Sequence, residues 1–255
     1  IRQLIARDLR QEPGMLEFMF MPCTKWITAN LANIVLPPQC VFCGQPVNDQ
    51  FVCDDCHHDL PWIANSCERC GTPTDTRLPA GTCCGKCQVR PPPFDTTLSP
   101  LHYDFPIDTA IKALKFGRKL FLAPALASLA LEKLLPVADS FDALVPVPLY
   151  QWRHATRGFN QAQELAKFLK RACDLPVRNC VIRTRRTAPQ SGLNAVARRR
   201  NMTHAFELAE SPDCRRILIV DDVMTTGETC RAMASVLRQG NVKHVSVLAI
   251  AHAAL

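Results

Sequence analysis

The stretch Ile217–Thr229, ILIVDDVMTTGET, decides the reading of this chain. Four consecutive apolar residues, Ile217–Val220, suit a strand buried on both faces, as in parallel sheets. Two carboxylates, Asp221 and Asp222, follow at the expected exit of that strand. Thr225, Thr226, Gly227 and Thr229 lead into a helix expected over 228–239, with Gly240 placed to end it. Open α/β sheets bind ligands at the carboxyl ends of their strands. Backbone N–H groups at a helix start favour a dianionic phosphate, threonine hydroxyls add donors, and Gly227 permits close backbone approach. Carboxylates suit the opposite task of accepting hydrogen bonds from sugar hydroxyls. Together these groups describe a site for a ribose-5-phosphate. A capped helix after a buried strand would explain one threonine and one aspartate, but not the whole run.

Outward from this stretch, strand and helix patterns alternate. Leu98–Asp104 reads as a strand, and Asp108–Phe116 and Leu122–Leu135 as helices. Ala143–Leu149 is a β-rich run closed by prolines. Asn160–Arg171 is helical, with Ala162, Leu165, Ala166, Phe168 and Leu169 on its apolar face. Pro176–Ile182 and Val245–Ile250 read as further strands. This order implies parallel βαβ units in an α/β, doubly wound sheet. The stiff proline segment Arg90–Phe94 suggests three regions: an N-terminal helical segment over 1–36, a cysteine module over 37–90 and the α/β domain over 95–255.

The cysteine module carries four pairs, Cys40/Cys43, Cys53/Cys56, Cys67/Cys70 and Cys84/Cys87, each spaced C-x-x-C. Such a turn points two thiolates at one ion, and two turns complete a tetrahedron around zinc. Two structural Zn ions are expected, since four sulfurs leave no open coordination position. Sequential and crossed pairing both satisfy the spacing. Cys83 competes with Cys84, which alone forms C-x-x-C with Cys87. His57 and His58 are alternative ligands, read as exposed, and the scattered Cys23, Cys173, Cys180, Cys214 and Cys230 read as ordinary buried or half-buried residues.

The 255 residues carry a net charge of +7, unevenly placed. Residues 1–97 hold 8 Lys/Arg and 10 Asp/Glu, whereas residues 98–255 hold 22 and 13, a balance of +9 that suits phosphates or nucleic acid. The apolar run Leu120–Leu131 is too short to cross a bilayer and contains Pro124. Met15–Ile27 lacks the basic leader and cleavage site of a signal peptide. No membrane insertion and a cytoplasmic location are expected. Arg183, Arg185 and Arg186, with Arg198, Arg199 and Arg200, form two basic clusters. They could line a diphosphate site or track a single strand, although only Phe206 lies close in sequence for base stacking.

The 217–229 stretch resembles the phosphoribosyl diphosphate (PRPP) signature of type I phosphoribosyltransferases. Val145–Ala166, with RGFNQ at Arg157–Gln161, and Arg183–Phe206 are similar to the ComF/GntX family, as are ALKFGR at Ala113–Arg118 and the double zinc ribbon. The similarity covers roughly residues 30–250. It implies a type I phosphoribosyltransferase fold in which Asp221 and Asp222 hold the ribose hydroxyls. Thr225, Thr226, Gly227 and Thr229 would hold the 5-phosphate. Lys115, Arg153 and Arg157 would contact the diphosphate together with Mg²⁺, and Arg183–Gly192 would form a hood. It further implies a PRPP-binding role in DNA uptake, as in natural competence, or in DNA utilisation. Single-stranded DNA is then a candidate partner, as is a helicase or other DNA-processing protein at the zinc module. The alternative is an active phosphoribosyltransferase of nucleotide metabolism. No acceptor site or general base is visible for it, and no catalytic residue is assigned.

Overall fold

In a computed structural model, which describes residues 38–48, 50–79, 82–150, 158–184 and 205–253, the apolar run at 217 lies in the middle of a parallel sheet. The segment expected over 1–36, Cys23, Arg153, Arg157, residues 185–192 and Arg198–Arg200 lie outside the described residues. The chain divides into two units, residues 1–59 and 60–255.

In the first unit, the turn after Cys40 closes with Gly44 N–H donating to Cys40 O at 2.9 Å and Cys40 N–H to Gln45 O at 2.8 Å. Gly44 has φ 76°, the left-handed region that glycine enters at least cost. A second turn passes from Cys53 into the short helix α1 (Asp54–His58). There Cys53 Sγ accepts the Cys56 amide at 3.4 Å.

The second unit contains α2 (Gly85–Val89) in the cysteine module and then the sheet. Its strands are β1 (Thr96–Leu98), β2 (Leu101–His102), β3 (Ala143–Pro146), β6 (Arg216–Met224) and β7 (His244–His252). The order is β1-β7-β6-β3, with β2 also on β7, and every pairing is parallel. The strand expected over 98–104 is thus two short pieces, split at Ser99–Pro100, where proline offers no N–H to a ladder. The run expected as a strand to Leu149 ends its pairing at Pro146. Residues 176–182 do different work at their two ends. Pro176 and Arg178 bond the backbone of Leu144 at 2.9 Å each. β4 (Val181–Arg183) instead pairs antiparallel with β5 (Phe206–Leu208) in a separate small sheet.

Side-chain alternation divides the core into two layers. Ile217, Ile219, Val245 and Val247 pack with Met233, Ala234 and Leu237 of α6 (Glu228–Gln239). Leu218, Val220, Leu248 and Ile250, equally buried, alternate with these. They face α4 (Leu122–Leu134) and α5 (Gln161–Cys173), which pack on each other and on the sheet. Each such side chain contributes about 1.5–3 kcal/mol of burial. In α5, Ala162, Leu165, Ala166 and Leu169 are buried as the periodicity predicts, and Asn160 Oδ1 caps the helix by accepting the Ala162 amide at 3.1 Å. α3 (Ile107–Gly117) buries Ile107, Ala110, Ile111 and Leu114.

Both sheet edges are covered, which blocks pairing with other chains. Residues 176–178 lie along β3. Along β1 and β2, Thr97 N–H donates to Glu68 O, Ile63 N–H to Pro100 O and His102 N–H to Pro61 O, each at 2.8 Å. Thr97 Oγ1 also donates to Arg69 O at 2.8 Å. Gly71, with φ 71°, sits so close that a Cβ there would lie 2.6 Å from Thr97 Cγ2. The turn that carries Cys67 and Cys70 is therefore built onto the sheet. Phe94, at the end of the proline segment, is buried in the α6 layer. Asp95 beside it makes a bidentate pair with Arg238 at 2.7 and 2.8 Å.

Candidate ribose-phosphate site and zinc centres

β6 does not end at Val220 as the apolar run suggests. It continues through both aspartates, because β7 is long enough to pair Asp221 with Ala249, Val223 with Ala251 and Met224 with His252. Adjacent residues of a strand point to opposite faces, so the two carboxylates have different surroundings. Asp221, half-buried, lines a small cavity with Thr225, Gly227, Glu228, Thr229 and the buried Cys230. Thr226 is half-buried and is not among the cavity's lining residues. Asp222 is 3% exposed and lies 2.8 Å from Lys115 Nζ of α3. Lys115, expected at a diphosphate, is here committed to Asp222.

Local backbone bonds set both carboxylates. Asp222 N–H donates to Asp221 Oδ1 at 2.9 Å, and Val223 N–H to Asp222 Oδ1 at 2.8 Å. Burial, with the Asp222 charge adding to it and Lys115 opposing, pushes the Asp221 pKa up to about 7. Burial works against the charge of Lys115, but the Asp222 and Asp221 carboxylates outweigh it and hold its pKa above the usual lysine value. Burial and the two carboxylates push the Cys230 thiol far up, so it stays neutral. Sequence reasoning treated Cys230 as scattered. Its place in the first turn of α6, three residues after Gly227, is the signal that puts it beside the site.

Gly227 caps α6 with φ 72°, and a Cβ there would meet only Met224 Cε at 3.7 Å and Phe94 Cζ at 4.0 Å. Glycine is thus required by the left-handed backbone rather than by lack of room. Gly227, Glu228 and Thr229, at the start of α6, line the same cavity as Asp221. The structure thus brings Asp221, Thr225, Gly227 and Thr229 of the expected site residues to one cavity.

The eight C-x-x-C thiols gather as two tetrads, Cys40/Cys43/Cys53/Cys56 and Cys67/Cys70/Cys84/Cys87, which is the sequential pairing. Within each, all sulfurs lie within 4.8 Å of one another. Cys43–Cys53 and Cys70–Cys84 are each 3.6 Å apart. A tetrahedron with Zn–S of about 2.3 Å has edges of about 3.8 Å, so both tetrads fit zinc. Cys84, not Cys83, completes the second. Burial opposes ionisation at Cys40, yet backbone donors of Cys43, Cys53 and Phe42 outweigh it and bring its pKa down to about 6. Cys67 comes down to about 7 in the same way, with Cys84, Cys70 and Arg69 as donors. Burial and the neighbouring sulfurs push Cys56 and Cys87 strongly up. A Zn²⁺ held by these sulfurs would supply the charge that lets four thiolates share one site. Among the described residues, no helix is long and apolar enough to cross a membrane.

The chain is similar to known proteins in both of its parts. A double zinc ribbon domain model matches residues 31–88, and a phosphoribosyl transferase domain model matches residues 138–254. The chain is 35% identical over 224 residues to the DNA utilization protein YhgH of Escherichia coli (strain K12), covering 84% of this chain and 96% of that protein. It is 36% identical over 182 residues to Competence protein F of Haemophilus influenzae, covering 67% of this chain and 78% of that protein. Among solved structures, a purine phosphoribosyltransferase from Pyrococcus horikoshii Ot3 is similar at a TM-score of 0.30 and 16% identity, over 55% of this chain and 73% of that one.

Proposed function

The chain belongs to the ComF/GntX family, the family of Competence protein F and YhgH, and on that premise we propose that it binds PRPP with Mg²⁺ and acts in DNA uptake or utilisation. The observation that carries the proposal is the convergence of Asp221 and the N-terminus of α6 on one cavity. Thr225, Thr226, Gly227 and Thr229 receive the 5-phosphate, aided by the positive end of the helix dipole. Asp221 accepts from the ribose hydroxyls, and Lys115 fixes Asp222 behind it. Mg²⁺ suits this donor set, because a carboxylate whose ionisation is disfavoured gains from a nearby cation. Arg153 and Arg157 are assigned to the diphosphate side, Lys115 being held by Asp222.

Isothermal titration of PRPP at fixed Mg²⁺ tests the ligand. A saturable heat that is lost in Thr225→Val/Thr229→Val supports the proposal, and no binding by the wild type refutes it. Diphosphate release across nucleobase, amine and ammonia acceptors separates a binding protein from an active transferase. Titration of labelled single-stranded DNA across salt tests the nucleic-acid part. The expected setting is the cytoplasm, where thiolate–zinc centres stay reduced. The first ribbon, a closed module with no catalytic position, is assigned to docking a DNA-processing protein such as a helicase.

A further inference from the structure

The end of α3 and the turn after it, Phe116–Phe121 (FGRKLF), are six consecutive exposed residues. Phe116 is 75% exposed, Leu120 45% and Phe121 60%. One exposed ring is ordinary, but two rings and a leucine within six residues form a patch. The turn is ordered. Leu120 N–H donates to Arg118 O at 2.9 Å, and Leu122 N–H to Lys119 O at 3.1 Å. Arg118 holds a left-handed conformation, φ 53°, that disfavours any side chain. Its guanidinium lies beside Gly158, where a Cβ would come within 4.0 Å of it.

Rings interleaved with cations are what a single strand needs, since bases stack on aromatic faces while Arg and Lys meet the phosphates. The region carries the matching charge, 22 Lys/Arg against 13 Asp/Glu over residues 98–255. A free nucleobase would be enclosed in a pocket, whereas these side chains stand out from the surface. The patch also begins one residue after Lys115, which reaches Asp222 of the candidate site.

We propose that the Phe116–Phe121 turn is a stacking platform for single-stranded nucleic acid, with Phe116 and Phe121 taking bases and Arg118 and Lys119 taking phosphates. The proposal rests on the nucleic-acid part of the function proposed above and gives it a surface. The test is fluorescence anisotropy of the full chain with a labelled dT oligonucleotide of about 20 nucleotides and with its abasic counterpart, across salt. Phe116→Ala/Phe121→Ala weakens dT binding about a hundredfold, because each of the two lost base stacks is worth about tenfold. Its salt slope stays unchanged, and it has little effect on the abasic strand. Arg118→Gln/Lys119→Gln lowers the salt slope by about 1.4, two contacts at about 0.7 each for a single strand. Unchanged PRPP titration in both variants shows that they fold.

Wild-type affinity for dT in the Phe variant overturns the platform while leaving DNA binding elsewhere intact. Equal losses on dT and abasic strands overturn stacking. Failure of the wild type to bind any strand at low salt removes both this proposal and the DNA half of the function, and leaves PRPP binding standing. A dimer in sedimentation that only the Phe variant abolishes, with strand affinity unaltered, assigns the patch to a second copy instead.

Discussion

Asp221 offers a test in which the magnitude follows from its surroundings. Its pKa of about 7 arises from burial first and the Asp222 charge second, against Lys115. The carboxylate form is then about one-tenth populated at pH 6 and nine-tenths at pH 8. A ligand that takes only the ionised form binds with an apparent Kd equal to the intrinsic value divided by that fraction. PRPP affinity should therefore rise about tenfold from pH 6 to pH 8, close to 1.4 kcal/mol. PRPP phosphates titrate in the same range, so the measured quantity is a difference. Isothermal titration at fixed Mg²⁺ is run on wild type and Asp221→Asn, and the second profile contains the ligand's own titration alone. Near pH 7 the wild type should release about half a proton more on binding, visible as a dependence of the heat on buffer ionisation enthalpy. Parallel profiles for the two proteins would refute the reasoning. The free protein supplies a sign check. A carboxyl whose folded pKa is raised contributes stability that is fully present below its unfolded pKa of about 3.9 and is lost as the pH passes its folded value. Asp221→Asn should therefore be more stable than wild type at pH 8 without ligand, and should lose that advantage by pH 4.

Further expectations attach to single residues. Lys115→Met leaves the Asp222 carboxylate buried without its partner and should cost about 3 kcal/mol in urea unfolding, with Lys115→Met/Asp222→Asn recovering most of it. Gly227→Ala has room for its methyl but must hold φ 72°, so a loss of about 1 kcal/mol in thermal unfolding is expected, together with weaker PRPP binding. Gly71→Ala meets both a left-handed backbone and Thr97 Cγ2 at 2.6 Å, and should cost about 2 kcal/mol or more in the same assay. Zinc removal with a chelator, or Cys70→Ser, should speed hydrogen exchange at the Thr97 amide ahead of Val247, because Thr97 bonds the Cys67–Cys70 turn while Val247 lies inside the sheet.

What the sequence revealed was what is local. The C-x-x-C pairs follow from spacing, since each lies within one turn, whereas which two pairs form a tetrad is set by the fold. The β6–loop–α6 unit follows from an apolar run, a permissive glycine and helical periodicity within twenty-five residues. The exit of β6 was misplaced because carboxylates are poor strand formers, and only the length of β7 keeps Asp221–Met224 paired. Once the strand is extended, its period of two separates the aspartates, and that separation turns one toward the cavity and the other toward Lys115. The Lys115–Asp222 pair links residues more than a hundred positions apart, and no local pattern foretells it. The seating of the second cysteine turn on β1 is made by backbone atoms of Glu68 and Thr97, which leave no mark in residue type. The aromatic patch was hidden for another reason, because Phe116 falls in an expected helix and Phe121 in an apolar run, and only their exposure sets them apart.

β7 lies between β1 and β6, although it comes last among the described strands. Both strands it joins are made before it, β1 about 150 residues earlier. During synthesis the platform for the second ribbon therefore cannot exist until residues 244–252 have left the ribosome, while Cys67–Cys87 are available from early on. Metal capture and sheet assembly are thus separated in time, and the long-range closure makes for slow folding. A stop codon ahead of residue 244 would remove the middle of the sheet rather than a dispensable tail, leaving β1 and β6 with no neighbour in common.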